Sequence, residues 1–283
     1  MRHPIRLSVV SSLLVLSAAP LRLAAQAGTA ETPAASSTTA RAPRMADGHP
    51  DLSGVWWQGQ DIGGRPAGGR GAAPAGGRGG AAGRGGGRGP APVTFSSLYQ
   101  PSAQAHAKTL SDKDDPSLDC TSTAFGTLNV SLFDVGAVGQ IVQTPKFVIM
   151  LTETYHSFQI VPTDGRPHRD TVPPSNRGDA IGHWDGDTLV VDKTNFTDTT
   201  WISAEGRVSY HSDALHIVER YTRTDANTLE IEATLEDPKV LTKPWVVPKQ
   251  TLRLAPFDQI MELVCSAGDV KALIEGASNS GKN

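Results

Sequence analysis

Thr228-Leu229-Glu230-Ile231-Glu232-Ala233-Thr234-Leu235 is the stretch that decides the fold class. Successive side chains on a strand point to opposite faces, so Leu229, Ile231, Ala233 and Leu235 share one side. Thr228, Glu230, Glu232 and Thr234 share the other, and the apolar set is expected to face an interior. The preceding segment, Asp213–Tyr221, is separated from it by Asp225-Ala226-Asn227, which reads as a hairpin turn. There Leu215, Ile217 and Tyr221 share parity with His211, Asp213 and Glu219, against Ala214, His216, Val218 and Arg220. Both faces are partly apolar, but the bulkier set is expected inside, and it carries Glu219 inward. A buried carboxylate is expensive unless paired, so Glu219 needs a partner or a function.

The same pattern extends outward. Ile181–Trp184 and Thr188–Asp192 flank Asp185-Gly186-Asp187, a hairpin signal because the glycine supplies the positive φ that a tight turn requires. Ile141–Thr152 is rich in β-branched and apolar residues and is broken at Pro145. Phe158, Ile160 and Pro162 alternate with polar neighbours before the Asp164-Gly165 turn, and Trp245–Leu254 and Gln259–Cys265 form a last pair around Pro256. Asp51–Trp57 reads as a first strand after a Gly-His-Pro turn, and only Val270–Glu275 hints at a helix. About eight to ten strands spaced ~8–12 residues apart predict an all-β fold: an antiparallel meander closing into a lipocalin-like barrel, or a sandwich.

Composition sets the boundaries. Residues 1–27 read as a secretory signal: Arg2 and Arg6, then apolar Leu7–Leu16, then the small-x-small site Ala25-Gln26-Ala27. Residues 28–46 are a polar tether, 47–62 hold the first strand, and 63–92 contain 14 Gly and 5 Arg without an acid or an aromatic. That tract lacks the apolar surface to offset its ordering entropy and is expected to be a disordered insertion. Residues 93–268 form the barrel domain and 269–283 a tail. Past the N-terminus no stretch approaches the ~20 apolar residues of a membrane span, so no integral span is expected. The formal charge of −3 becomes −6 once the signal and its three arginines are removed, and residues 93–283 carry 16 Lys+Arg against 25 Asp+Glu. A field of that sign repels phosphate backbones, so no nucleic-acid partner is expected, although the Gly/Arg tract resembles RNA-binding segments. The destination is the periplasm or beyond, where the two cysteines, Cys120 and Cys265, most simply form one disulfide; two free buried thiols are the alternative.

Long motifs carry a resemblance. Ile181-Gly182-His183-Trp184-Asp185-Gly186-Asp187-Thr188-Leu189-Val190-Val191-Asp192 and His211-Ser212-Asp213-Ala214-Leu215-His216-Ile217-Val218-Glu219-Arg220-Tyr221 resemble the hallmarks of a large uncharacterised family of exported bacterial proteins. Asp51–Trp56, Asp237-Pro238, Pro244-Trp245 and Glu262-Leu263-Val264-Cys265 also fit, and the resemblance supplies no catalytic residues. Gly54-Val55-Trp56 is similar to the first-strand Gly-x-Trp of lipocalin-like (calycin) barrels, with Arg253 as the counterpart of the arginine that stacks on it. That likeness implies a small apolar ligand held at a barrel mouth.

Two functional readings follow. The first is an exported barrel binding a small, partly apolar ligand, with Trp184, Tyr221, Trp245, His216 and Arg220 as candidate contacts. The second is a hydrolase, lyase or isomerase on the same scaffold, using His211, Asp213 and Glu219 from one strand face as acid–base groups. Against it stands the reading of Glu219 as half of a structural ion pair. A third role is structural, with the Gly/Arg arm docking an acidic surface polymer. No cofactor is implied. The histidines show neither HxH nor HExxH spacing, so no metal site is expected, and Asp185, Asp187 and Asp192 read as turn residues rather than calcium ligands.

Overall fold

In the computed structural model, nine strands form one sheet in the order β4-β3-β2-β1-β9-β8-β7-β6-β5, every neighbouring pair antiparallel. The structure describes residues 40–58, 93–126, 138–153, 155, 157–203 and 208–261, all within a unit spanning Thr39–Asn283. The strands are β1 (Gly54–Trp57), β2 (Val138–Gln143), β3 (Phe147–Thr152), β4 (Phe158–Pro162), β5 (Asp179–Asp185), β6 (Thr188–Thr194), β7 (His216–Asp225), β8 (Thr228–Glu236) and β9 (Trp245–Leu254). The one α-helix among the described residues is α1 (Pro101–Ala107), with proline in its first turn. No helix was expected there, although Pro101 at its first position marks a helix start. The expected strand at Gln259–Cys265 is absent over residues 259–261, and the remainder, with the Val270–Glu275 helix, lies outside the described residues.

Eight antiparallel steps return the ninth strand of a sheet to the direction of the first, so the edge strands β4 and β5 run parallel. They adjoin, yet no ladder joins them. The result is a nearly closed barrel with one parallel seam. The approach is close enough that a Cβ on Gly182 would lie 2.7 Å from Val161 Cγ1, so glycine is needed there.

The alternation in β8 holds. Leu229, Ile231, Ala233 and Leu235 are all buried, and they divide between two apolar clusters stacked along the barrel. One cluster joins Leu229 and Ile231 to Trp56, Ile141, Met150, Leu189, Tyr221 and Leu252. The other joins Ala233 and Leu235 to Ile217, Trp245 and Val247, and is covered by Phe95, Tyr99 and Ala103 from the segment around α1. Burying a large aliphatic side chain is worth about 1.5–3 kcal/mol, so these clusters supply the main driving force.

Arg223 on β7, not Arg253, stacks on Trp56, with its guanidinium carbon 4.9 Å from the ring centroid. Arg223 Nη1 donates to the carbonyls of Asp51 (2.5 Å) and Ser53 (3.3 Å), and Nη2 donates to Ala226 O. Arg253 is exposed, pointing away from the interior where Leu252 points in. The expected tether packs against the barrel from residue 40 onward: Ala226 N donates to Ala40 O, and Arg44 grips the exposed Asp187 through both carboxylate oxygens. Arg223→Ala is expected to destabilise the fold by about 1–3 kcal/mol, because it leaves half-buried carbonyls without their charged donor and removes the stack on Trp56. Arg253→Ala is expected to cost less than about 0.5 kcal/mol. Urea unfolding of the two variants checks the assignment.

Candidate functional site

The connector 163–178 must run the length of the barrel to join two parallel strands, and it builds a cleft along the seam. Thr163 N donates to Lys146 O at one end, and Ser175 N donates to Asn195 O at the other. Gly178, at φ +70°, is irreplaceable: a Cβ there would lie 2.5 Å from Thr194 O and 2.9 Å from the Phe196 ring. This turn drives Arg177 inward. Its Nη1 donates to the carbonyls of Thr123 (3.0 Å) and Phe125 (3.3 Å), and Nη2 to that of Gly126 (3.4 Å).

The cleft has a volume of ≈ 770 Å³, within the range of small-molecule sites. Phe147, Phe158, Ile160 and Pro162 line one side; Ser175, Asn176, Arg177 and Gly178 line the other. Phe158 and Ile160 point outward at 59% and 47% exposure, while Gln159 and Val161 between and beyond them point in. Arg166 and Arg169 complete the charged lining. Arg166 pairs with Asp164, whose carboxyl its hydrogen bond holds down to about 2, and its guanidinium lies over the Phe147 ring. Arg169 Nε donates to the buried Asp179 at 2.6 Å. A second hollow, between β1 and residues 254–258, is lined by Gly54, Leu254 and Phe257. It holds no unpaired buried side-chain polar atom among the described residues.

The connector is pinned outside the sheet by a chain of carboxylates and imidazoles. His168 Nδ1 lies 2.9 Å from Asp179 Oδ2, and its Nε2 lies 2.9 Å from Asp192 Oδ1. His216 Nε2 meets Asp192 Oδ2 at 3.1 Å, and its Nδ1 meets Glu236 at 3.5 Å. Partial burial opposes the His216 imidazolium, but the hydrogen bond and charge of Asp192, followed by those of Glu236, outweigh it and raise its pKa. Burial likewise pushes Asp192 up, and the hydrogen bonds and charges of His168 and His216 pull it down further, for a net lowering.

The expected acid–base trio is not assembled. Strand β7 starts at His216, because Ser212 donates to Asp237 through both N and Oγ (2.7 Å each) and locks residues 211–215 into a turn. His211 is buried, bound to Thr200 Oγ1 (2.8 Å) and to Ser212 O (2.9 Å), and burial lowers its pKa. Asp213 is exposed on Lys239. Glu219 lies inside the barrel between the two apolar clusters, accepting from Lys193 Nζ (2.8 Å) and from the Tyr221 hydroxyl (2.9 Å).

The five expected ligand contacts are also dispersed. Tyr221 and Trp245 are buried in the core, and Trp245 Nε1 donates to Val93 O. Trp184 stacks on His49 with ring centroids 4.6 Å apart. His216 and Arg220 stand on the outer surface, the latter bound to Asp185. None of the five lines the seam cleft. Cys120 is not a free thiol, and Cys265 lies outside the described residues. Among the described residues, no group of three or more His, Cys, Asp or Glu is placed to hold a metal ion, and no helix is long and apolar enough to cross a membrane. The residues that sequence reasoning missed are Gln159 and Arg177. Their only signal is a polar residue between apolar neighbours and an Arg-Gly before a strand, and both read as ordinary surface.

No protein-family model, curated protein or solved structure matches this chain.

A raised imidazolium pKa contributes stability that is complete below the unfolded value near ~6.5 and fades as pH rises through the folded one. The lowered Asp192 pKa contributes stability that is complete above about 3.9 and lost as pH falls through the folded value. Asp192→Asn is therefore expected to cost most between about pH 4 and 6.5, and less as pH rises through the raised His216 value. Urea unfolding across that range tests the network; an unchanged cost at high pH would show that the His216 imidazolium charge is not what Asp192 stabilises.

Proposed function

We propose that this chain is an exported β-barrel protein that binds a small, partly apolar ligand in the seam cleft. The observation that carries the reading is the inversion at β4, where Phe158 and Ile160 stay exposed along a cleft of ligand size. Isolated exposed apolar residues are ordinary, but aromatic and aliphatic groups lining one concavity mark a binding surface. The leader-like residues 1–27 support export to the periplasm or beyond. Export in turn supports a Cys120–Cys265 disulfide. The near-closed antiparallel barrel and the Trp56–Arg223 stack support kinship with lipocalin-like barrels.

The enzymatic alternative loses ground on geometry. Glu219 is committed to Lys193 and Tyr221 inside the barrel, while Asp213 pairs with Lys239 at the surface.

Native mass spectrometry of protein purified from its own host is expected to show a co-purified small molecule. Phe158→Asp, which places a charge on the apolar wall, is expected to release it while the melting temperature stays within a few degrees. Retention of the molecule by that variant would move the site elsewhere. Non-reducing peptide mapping of the same sample is expected to recover Cys120 and Cys265 linked; free thiols would remove the disulfide.

A further inference from the structure

Two residues of the seam cleft each keep a buried polar atom with no hydrogen-bond partner among the described residues: Arg177 Nε and Gln159 Oε1. Arg177 is only 9% exposed and Gln159 only 7%. Such orphans are rare because an unpaired buried polar atom is costly, and two lining one cavity point to a missing group that completes both. One is a charged donor and the other a neutral acceptor, so the group must accept beside Arg177 and donate beside Gln159.

We infer that the cleft takes a carboxylate that also bears a hydroxyl and an apolar body, an inference that rests on the cleft being the ligand site. Arg177 Nε–H donates to a carboxylate oxygen, and the ligand hydroxyl donates to Gln159 Oε1. The remaining Arg177 nitrogens are already committed to the carbonyls of Thr123, Phe125 and Gly126. That fixes the guanidinium plane before the ligand arrives, so little side-chain entropy is lost on binding. The other charged residues lining the cleft are Arg166 and Arg169, with no Asp or Glu among its described lining residues. Each is tied to its own aspartate, which cancels most of its charge, so Arg177 is the group that meets the carboxylate. A phosphate dianion fits less well, because a single free donor and a facing carbonyl oxygen leave most of its charge unmatched. Phe147, Phe158 and Ile160 receive the apolar body.

Isothermal titration of the purified chain with three matched probes tests this: 3-phenyllactate, 3-phenylpropanoate and 3-phenylpropane-1,2-diol. Phenyllactate is expected to bind tightest, with removal of either the hydroxyl or the carboxylate weakening binding about tenfold, as for loss of one buried hydrogen bond. Gln159→Leu is expected to erase the difference between the two acids. Arg177→Lys, which keeps the charge but loses Nε, is expected to weaken both acids more than the diol. Should that variant fail to fold, Gln159→Glu places a carboxylate of the same shape beside the ligand's and is expected to do the same. If the diol binds as tightly as phenyllactate, the carboxylate assignment falls and the ligand site stands. If the two acids bind equally, the hydroxyl assignment falls. If none of the three binds, the hydroxy-acid assignment falls, while the cleft as ligand site is decided separately by whether Phe158→Asp releases the co-purified molecule.

Discussion

Strand parity is the constraint on which the rest of this structure depends. Nine strands joined by eight antiparallel pairings must end in two edges that point the same way. A hairpin cannot join parallel strands, so β4 reaches β5 through the sixteen-residue connector 163–178 instead of a turn. The barrel therefore closes by contact of side chains and not by a hydrogen-bonded ladder. The connector needs its own anchors, which accounts for the pairs Asp179–Arg169 and Asp192–His168 that join it to β5 and β6.

The interior is organised around the same division of labour. Apolar clusters fill it above and below, while Lys193 and Glu219 occupy the level between them, with the hydroxyl of Tyr221 reaching Glu219 from one cluster. A buried ion pair adds little stability over apolar residues of similar volume, since desolvating two charges offsets much of their attraction. Its consequence is positional: Glu219 on β7 and Lys193 on β6 satisfy each other only in the observed strand register. Arg223 acts in the same way at the Trp56 end, where it collects the carbonyls of Asp51, Ser53 and Ala226.

At the seam this economy changes. Over most of the sheet the larger apolar side chains turn inward; β3 keeps Phe147, Ile149 and Leu151 half-buried on its outer face, and β4 sends Phe158 and Ile160 out and Gln159 in. A strand with ladders on both sides and water on one face loses stability from such an inversion. Beside an open seam, the outward pair becomes the wall of a cleft and the inward amide its floor. The orphaned Gln159 and Arg177 atoms belong to the same arrangement, in which local order is given up where a ligand can restore it.

Much of the fold was legible before any coordinates. Period-two alternation put Leu229, Ile231, Ala233 and Leu235 inside, the Asp-Gly-Asp turn set the β5–β6 hairpin, and Trp245–Leu254 was bounded correctly as a strand. These features are local, written in neighbours a few residues apart. The start of β7 was not legible, because Asp237 holds Ser212 across 25 residues and converts apparent strand into turn. Neither was the stacking partner of Trp56: Arg223 and Arg253 are both arginines on neighbouring stretches of sheet, and only the path of the chain brings one of them under the ring. The cleft was the least legible of all. Phe158, Gln159, Arg166 and Arg177 carry no common motif, and they meet because two parallel edges without a ladder must be bridged by a long connector. Side-chain chemistry and alternation are properties of the chain, whereas which residues face one another across a seam follows from strand order and direction, long-range quantities that no short window of residues contains.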